Sequence, residues 1–172
     1  MKQMITRLLF SVSLPLVLGA GTGDWQAFAP KDGGFSILFP GTPAENKEEA
    51  KTPAGTVTVT YFVLEQGGIT FVASFSEFPK DSLHARTEEK RLDSARDGAV
   101  ASAKGKLERE RKFKKGKYPA RELWIQGEKS FVRTRLLAVD NRLYQTMVMG
   151  SKEQATGQEA AKFLDSFKLV KK

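Results

Sequence analysis

The first segment with a clear pattern of apolar and polar positions is GGFSILFPGTPAE, residues 33–45. Phe35, Ile37 and Phe39 occupy alternate positions, and a period of two places them on one side of a β-strand. Pro40 and Pro43 follow, and because proline has no backbone N–H it cannot continue a ladder of strand hydrogen bonds. The pattern predicts a buried strand that opens a domain and ends at the prolines. The alternative is a loop that grips a ligand.

A hairpin is predicted after this strand. Residues 43–55 are polar and predict a loop, whereas TVTVTYFVLE at 56–65 alternates and predicts a strand. Gln66, Gly67 and Gly68 form a turn, and ITFVASFSEF is expected to return antiparallel to the preceding strand. The alternation in the first strand of the hairpin places its apolar residues together on one face, at Val57, Val59, Tyr61 and Val63.

Helical spacing replaces the strand pattern between residues 82 and 104. The small and apolar positions that recur at this spacing are Leu92, Ala95, Ala99 and Ala103. A side-chain face this small allows a helix to lie close to a sheet. Gly105 follows as a stop signal.

Four strands in two hairpins are predicted next. KLERERKF and ARELWIQ flank the turn KKGKYP, and SFVRTRLLAV and RLYQTMVM flank the two-residue link Asp140-Asn141. That link sets the register of the second hairpin, with Val139 opposite Arg142, Leu137 opposite Tyr144, Arg135 opposite Thr146 and Arg133 opposite Val148. One face of this hairpin is then expected to hold Arg133, Arg135, Arg142 and Tyr144, and the core face Val132, Leu136, Leu143, Met147 and Met149.

The chain ends in a predicted helix. Thr156 and Glu159 have the spacing of a capping box, and apolar residues follow at helical intervals. Phe163 and Phe167 are expected to anchor this helix to the sheet. The order of strands, helix, strands and helix predicts an α+β protein with helices flanking an antiparallel β-sheet. A length of 172 residues favours a single domain.

The N-terminal residues have the three parts of a secretory signal peptide. Lys2 and Arg7 precede the apolar run LLFSVSLPLVLGAG, and small residues surround Ala20. The run is shorter than the roughly 20 residues that cross a bilayer, and Pro15 interrupts it, although a retained anchor is the alternative. We expect residues 1–21 to be a signal peptide, residues 22–172 to form one globular domain, and the protein to be secreted or periplasmic.

Composition and the absence of known motifs exclude several kinds of catalytic and metal-binding site. The chain has no cysteine, which excludes disulfides, thiolate metal sites and cysteine nucleophiles. The motifs of a serine nucleophile elbow, a phosphate-binding loop and a zinc protease are absent. His84 is the only histidine and is expected to face solvent from a helix. The sequence therefore predicts no catalytic residue, no metal site and no cofactor.

Positive charge is concentrated in one segment. The net charge is +8, and loss of Lys2 and Arg7 with residues 1–21 leaves +6. Residues 104–117, KGKLERERKFKKGK, contain eight basic and two acidic residues, which equals that surplus. The residues predicted to contact lipid headgroups or an acidic protein are Arg109, Arg111, Lys114, Lys115 and Lys117. The alternative is a solvated hairpin tip whose lysines discourage edge-to-edge pairing.

The face with Arg133, Arg135, Arg142 and Tyr144 is a second candidate site. The planar guanidinium fork suits a carboxylate or a phosphate, which predicts a ligand of that kind. The alternative is structural: long arginine stems cover a half-exposed sheet and pair with nearby acids such as Glu122.

Three segments carry a resemblance to a known fold. GGFSILFPGTP near the expected mature start, the later RLYQTMVMG and the closing FLDSF resemble the secreted bacterial relatives of the PsbP and Mog1 proteins. The resemblance spans residues 25–170. It implies a PsbP/Mog1-like α/β/α sandwich and a role as a binding or accessory module, and it implies no catalytic residue.

We therefore expect a secreted, non-catalytic binding or accessory module that contacts an anionic surface or an acidic protein. Its export disfavours nucleic acid as the partner, and no integral membrane span is expected after signal cleavage. The main alternative is a secreted hydrolase whose site no motif reveals, and a structural protein of the envelope is a third possibility. The ligand and the oligomeric state stay open at this stage.

Overall fold

The computed structural model describes residues 24–52, 55–79 and 87–170. The predicted signal peptide, His84 and the beginning of the helix predicted from residue 82 lie outside the described residues. The elements are, in chain order, β1 (Gln26–Phe28), β2 (Phe35–Phe39), β3 (Ala44–Thr52), β4 (Gly55–Gln66), β5 (Ile69–Glu77), α1 (Glu88–Ser102), β6 (Lys106–Lys115), β7 (Tyr118–Gln126), β8 (Phe131–Val139), β9 (Arg142–Gly150), α2 (Lys152–Thr156), α3 (Gln158–Ser166) and β10 (Lys168–Leu169).

The strands of the described residues form two antiparallel sheets. The large sheet has seven strands in the order β3-β4-β5-β9-β8-β7-β6, and the small sheet has three in the order β1-β2-β10. Each face of the large sheet carries its own core. One contains Phe35 of β2 and Phe163 of α3 together with Leu137, and the other contains Leu92 of α1 together with Leu136. The predicted α+β fold, with helices flanking an antiparallel sheet, is confirmed.

The predicted first strand is confirmed as β2. Phe35, Ile37 and Phe39 are completely buried or nearly so. β2 lies between β1 and β10 and is antiparallel to both. The alternating residues therefore pack the small sheet against one face of the large sheet.

The loop predicted for residues 43–55 is wrong. Residues Ala44–Thr52 form β3, which pairs with β4 from Ala44 opposite Val63 to Thr52 opposite Gly55. β3 is an edge strand with every described side chain at least partly exposed. Since neither side of the strand is buried, its sequence carries no apolar alternation that could have revealed it.

The strand predicted at 56–65 is confirmed as part of β4, but both of its faces contribute to burial. Val57 is buried on the expected face, and Phe62 of the opposite face is buried in the core that also holds Phe35. The β4–β5 turn contains Gly67 and Gly68, both with positive φ, a conformation that glycine adopts without steric cost.

The predicted register of the β8–β9 hairpin is confirmed. Arg133 pairs with Val148, and Val139 pairs with Arg142 at the turn. Asp140 in the turn has a φ of 48°, which suits a two-residue hairpin link.

α1 begins after Thr87, whose side chain accepts a hydrogen bond from the backbone N–H of Lys90.

The predicted capping box at Thr156 and Glu159 is wrong. The capping box lies earlier, between Ser151 and Gln154, and it begins the short helix α2. α3 begins after Gly157, which cannot supply a side-chain cap because glycine has no side chain, and the extended backbone at this residue separates the two helices. Phe163 is fully buried in α3, and Phe167, which caps its C-terminal end, is 6% exposed. Both rings therefore anchor the end of the chain as predicted.

Among residues 24–170, where described, no helix is long and apolar enough to cross a membrane.

Candidate functional site

Strands β6, β7 and β8 bring four arginines onto one sheet face. Their register forms two cross-strand rows, because residues directly opposite one another in an antiparallel pair share a face. The first row is Arg109, Trp124 and Arg133, and the second is Arg111, Glu122 and Arg135. We call this set of six residues the arginine face.

Glu122 holds the arginine face together. Its side chain is 1% exposed, and it accepts hydrogen bonds from Arg111, Arg133 and Arg135. Nε of Arg133 lies 2.9 Å and Nε of Arg135 lies 3.1 Å from Oε1 of Glu122. Burial alone would raise the pKa of Glu122, but the hydrogen bond from Arg111 and the nearby arginine charges outweigh burial and lower it. Glu122 is therefore a fixed anion that positions three cations.

Trp124 supports the other row through stacking. The guanidinium carbon of Arg109 lies 4.7 Å from the centroid of the Trp124 ring, and that of Arg133 lies 5.5 Å from it. Both distances are within the range of a cation–π interaction. Arg109 is exposed and has no carboxylate partner in the described part of the chain. Its hydrogen-bond donors are therefore available to a ligand.

The arginine face carries an excess of positive charge. Besides Glu122, the carboxylate paired with its arginines is Asp165, which lies 2.7 Å from Nη1 of Arg135 and is 66% exposed. The four arginines thus face two carboxylates within residues 87–170. This excess fits the recognition of an anion by fixed guanidinium groups.

The structure separates Arg142 and Tyr144 from the arginine face, although all lie on the same side of the sheet. Tyr144 was expected on a half-exposed sheet face. It is instead buried, because Phe35 and Phe167 cover it. Arg142 pairs with Glu77 and donates to the backbone carbonyl groups of residues 32 and 33. The predicted cluster of four residues is therefore reduced to Arg133 and Arg135. Those two meet the structural expectation of pairing with Glu122.

The lysines predicted at the β6–β7 tip are also separated. Lys114 and Lys117 are exposed, and the ammonium group of Lys117 lies 5.1 Å from the Tyr118 ring centroid. Lys115 instead turns inward and donates to the carbonyl oxygen of Phe167 at 2.6 Å. The chain separation of 52 residues between these partners explains why local sequence did not reveal the contact.

The opposite face of β7 holds a second ion cluster that the sequence analysis missed. Arg121 is 1% exposed and its guanidinium group pairs with Glu89, Asp93 and Glu110. Burial would lower the pKa of Arg121, but hydrogen bonds to Glu89 and Asp93 outweigh burial and raise it. The available sequence signal was a pair of adjacent opposite charges, Arg121 and Glu122, inside an otherwise apolar strand.

No group of three or more His, Cys, Asp or Glu side chains in the described ranges is arranged to hold a metal ion.

Comparison with known proteins identifies the fold. No protein-family model matches the chain, and no curated protein matches it. The solution structure of the cyanobacterial PsbP protein CyanoP from Synechocystis is 12% identical with a TM-score of 0.58, covering 91% of this chain and 99% of its own. A Pseudomonas aeruginosa protein of unknown function, PA94, described as a putative regulator, is 14% identical with a TM-score of 0.43, covering 81% of this chain and 91% of its own.

The chain therefore has a PsbP-like fold, as the sequence resemblance implied. At 12% identity, the likeness to CyanoP concerns the fold and carries no functional residue to this chain.

Proposed function

We propose that this protein is a non-catalytic binding module that uses the arginine face to bind an acidic protein partner. The observation that carries the proposal is the fixed arrangement of three arginines around one buried carboxylate, beside a fourth, Arg109, that has no carboxylate partner among the described residues. Buried Glu122 holds three of the guanidinium groups in place before a ligand arrives, which lowers the entropic cost of binding.

An acidic protein fits this face better than a lipid surface does. Guanidinium groups held in fixed orientations favour carboxylates presented at defined positions. Insertion into a membrane surface usually requires exposed apolar side chains beside the basic ones. Among the described residues, the exposed large apolar side chain is that of Val170, at 50% exposure. Val170 follows β10 and is not part of β6–β8, which carry the arginine face.

The sequence pattern of residues 1–21 supports export as part of the same proposal. A charged start, an apolar run and small residues before Thr22 are the parts of a secretory signal peptide. N-terminal sequencing of the protein from a periplasmic or secreted fraction is expected to begin after Gly21. Recovery of intact Met1 in that fraction would contradict the cleavage.

The binding proposal is tested with a fluorescent poly-glutamate peptide and anisotropy measurements at low and high salt. Arg109→Gln is expected to weaken binding about fivefold, because it removes one exposed charge and its donors. Lys112→Gln is the matched control, since it removes one charge from the other face of the same strand. Binding is expected to weaken steeply with salt, because exposed charges are screened over about 8–10 Å at physiological ionic strength.

Two results would contradict the proposal. Equal affinities of Arg109→Gln and Lys112→Gln for the peptide would show that the arginine face is not the binding surface. Retention on phosphatidylglycerol vesicles without any binding of the peptide would replace the acidic protein with a lipid surface. Phosphatidylcholine vesicles serve as the neutral control.

A further inference from the structure

We propose that a cleft beside the arginine face accepts a single carboxylate, that of a glutamate side chain, between Lys115 and Arg135. The inference rests on the proposed function, because it names the anchor through which an acidic partner is held. The cleft lies between the β6–β9 region of the large sheet and the C-terminal end of α3.

The shape of the cleft limits its occupant. Its walls are largely apolar and come from Phe113, Leu137, Leu164 and Phe167. The cavity volume is about 30 Å³, whereas a single water molecule requires about 10–15 Å³. The cleft therefore has room for one small polar group, with apolar walls suited to the methylene groups behind it. A glutamate side chain has this form, and a phospholipid headgroup is too large.

The polar groups of the cleft are cations with donors to spare. Lys115 Nζ donates to the carbonyl oxygen of Phe167, and no second acceptor in the described ranges contacts it. Arg135 uses Nε for Glu122 and Nη1 for Asp165, which leaves Nη2 without an acceptor in that part of the chain. The hydroxyl-bearing residue Thr146 also lines the cleft. A carboxylate accepts several such donors at once.

The charges around the cleft also favour an anion. Burial lowers the pKa of Lys115, and the positive charges of Arg135 and Lys168 lower it further, while Asp165 opposes them. The cations thus repel each other with incomplete compensation. An anion in the cleft reduces this repulsion, and its removal from water is offset by charge-assisted hydrogen bonds.

Arg135 joins the cleft to the arginine face. Its guanidinium group contacts Glu122 within that face and also lines the cleft. A partner whose acidic residues cover Arg109 and Arg111 therefore has the cleft within reach of a neighbouring glutamate. Burial of one such side chain would add a desolvated anchor to the exposed charge pairs of the interface.

The test uses propionate, which has the carboxylate and the methylene group of a glutamate side chain. Isotope-labelled protein is titrated with propionate and, as the uncharged control, with propionamide, while NMR chemical shifts are recorded. Saturable shifts at Lys115, Thr146 and Phe167 are expected with propionate and not with propionamide. Lys115→Met is expected to weaken propionate binding at least tenfold, whereas Lys112→Met on the opposite face of β6 leaves it unchanged.

Asp165→Asn provides a test that does not depend on the folding of the Lys115 variant. This exposed change removes the carboxylate that competes for Arg135, so propionate is expected to bind about three- to fivefold more tightly. Unsaturable shifts, equal shifts with propionamide, or unchanged affinity in Asp165→Asn would overturn the inference. Poly-glutamate binding that depends on Arg109 would survive that result, whereas propionate binding without peptide binding would contradict the proposed function alone.

Discussion

Arg121 and Glu122 are neighbours in β7, are equally buried, and lie in ion clusters of opposite composition on opposite faces of the sheet. Arg121 pairs with three carboxylates, and Glu122 pairs with three guanidinium groups. Because successive residues of a strand point to opposite faces, two adjacent charges can serve two clusters without contacting each other. β7 therefore contributes one charged residue to an ion cluster on each face of the large sheet.

Glu122→Gln is expected to lower the free energy of unfolding at pH 7 by about 3 kcal/mol, since it leaves three arginines around a neutral group. The pKa of Glu122 is lowered in the folded protein, so its ionised form favours folding. That contribution is complete above the unfolded-state pKa of about 4.3 and is lost as pH falls towards the lower folded value. Urea unfolding at several pH values should therefore show that the free energy of unfolding falls less steeply below about pH 4.3 in the variant than in the unchanged protein.

Glu128→Gln is the control for this experiment. Glu128 is more than half exposed and pairs with Lys104 at 3.5 Å, so its loss should change stability by less than about 1 kcal/mol. An equally steep fall in the free energy of unfolding in Glu122→Gln would contradict the role assigned to that carboxylate.

Arg121→Met is expected to destabilise the fold by about 3 kcal/mol, because three carboxylates lose their shared buried cation. Arg96→Met is a useful comparison, since Arg96 pairs with two of the same acids but is more exposed. Thermal unfolding should show the larger loss for Arg121→Met. Equal losses would mean that burial of Arg121 adds nothing to the pairing.

Phe163→Ala is expected to cost about 3–5 kcal/mol, because the ring is fully buried between Phe39 and Phe71. Denaturant unfolding measures the loss, and Val170→Ala is the exposed control. A Phe163→Ala variant with nearly unchanged stability would show that α3 does not depend on this anchor.

Replacement of both Lys114 and Lys117 by glutamine tests the tip of the β6–β7 hairpin. Neither lysine belongs to the arginine face, so poly-glutamate affinity is expected to fall less than in Arg109→Gln. The comparison uses the same anisotropy assay. A larger loss in the double variant would move the binding surface from the sheet to the tip, as the sequence alone allowed.

The sequence predicted those features that a local rule controls. The Asp140-Asn141 link determined the β8–β9 register, and the alternation of Phe35, Ile37 and Phe39 identified β2. β3 escaped prediction because pairing with β4, and not burial, holds its polar residues in a strand. The sequence thus revealed strands through their buried faces.

The candidate site was predicted in part for a similar reason. Strand alternation placed Arg133, Arg135 and Tyr144 on one face, but alternation does not tell which end of that face other elements cover. Phe167 comes from beyond α3 and covers Tyr144, whereas Arg133 and Arg135 remain partly exposed. Such long-range packing has no signature in the local pattern.

The position of β2 between β1 and β10 also determines how the fold would respond to a pulling force. β1 begins opposite Phe39, whereas β10 ends opposite Phe35. The chain therefore enters the small sheet at one end of β2 and leaves it at the other end. Tension applied through the two ends would act along β2 and load its hydrogen bonds in shear, all at once rather than one after another. The buried phenylalanines of β2 would resist the same sliding motion, so this short sheet is expected to act as a mechanical clamp.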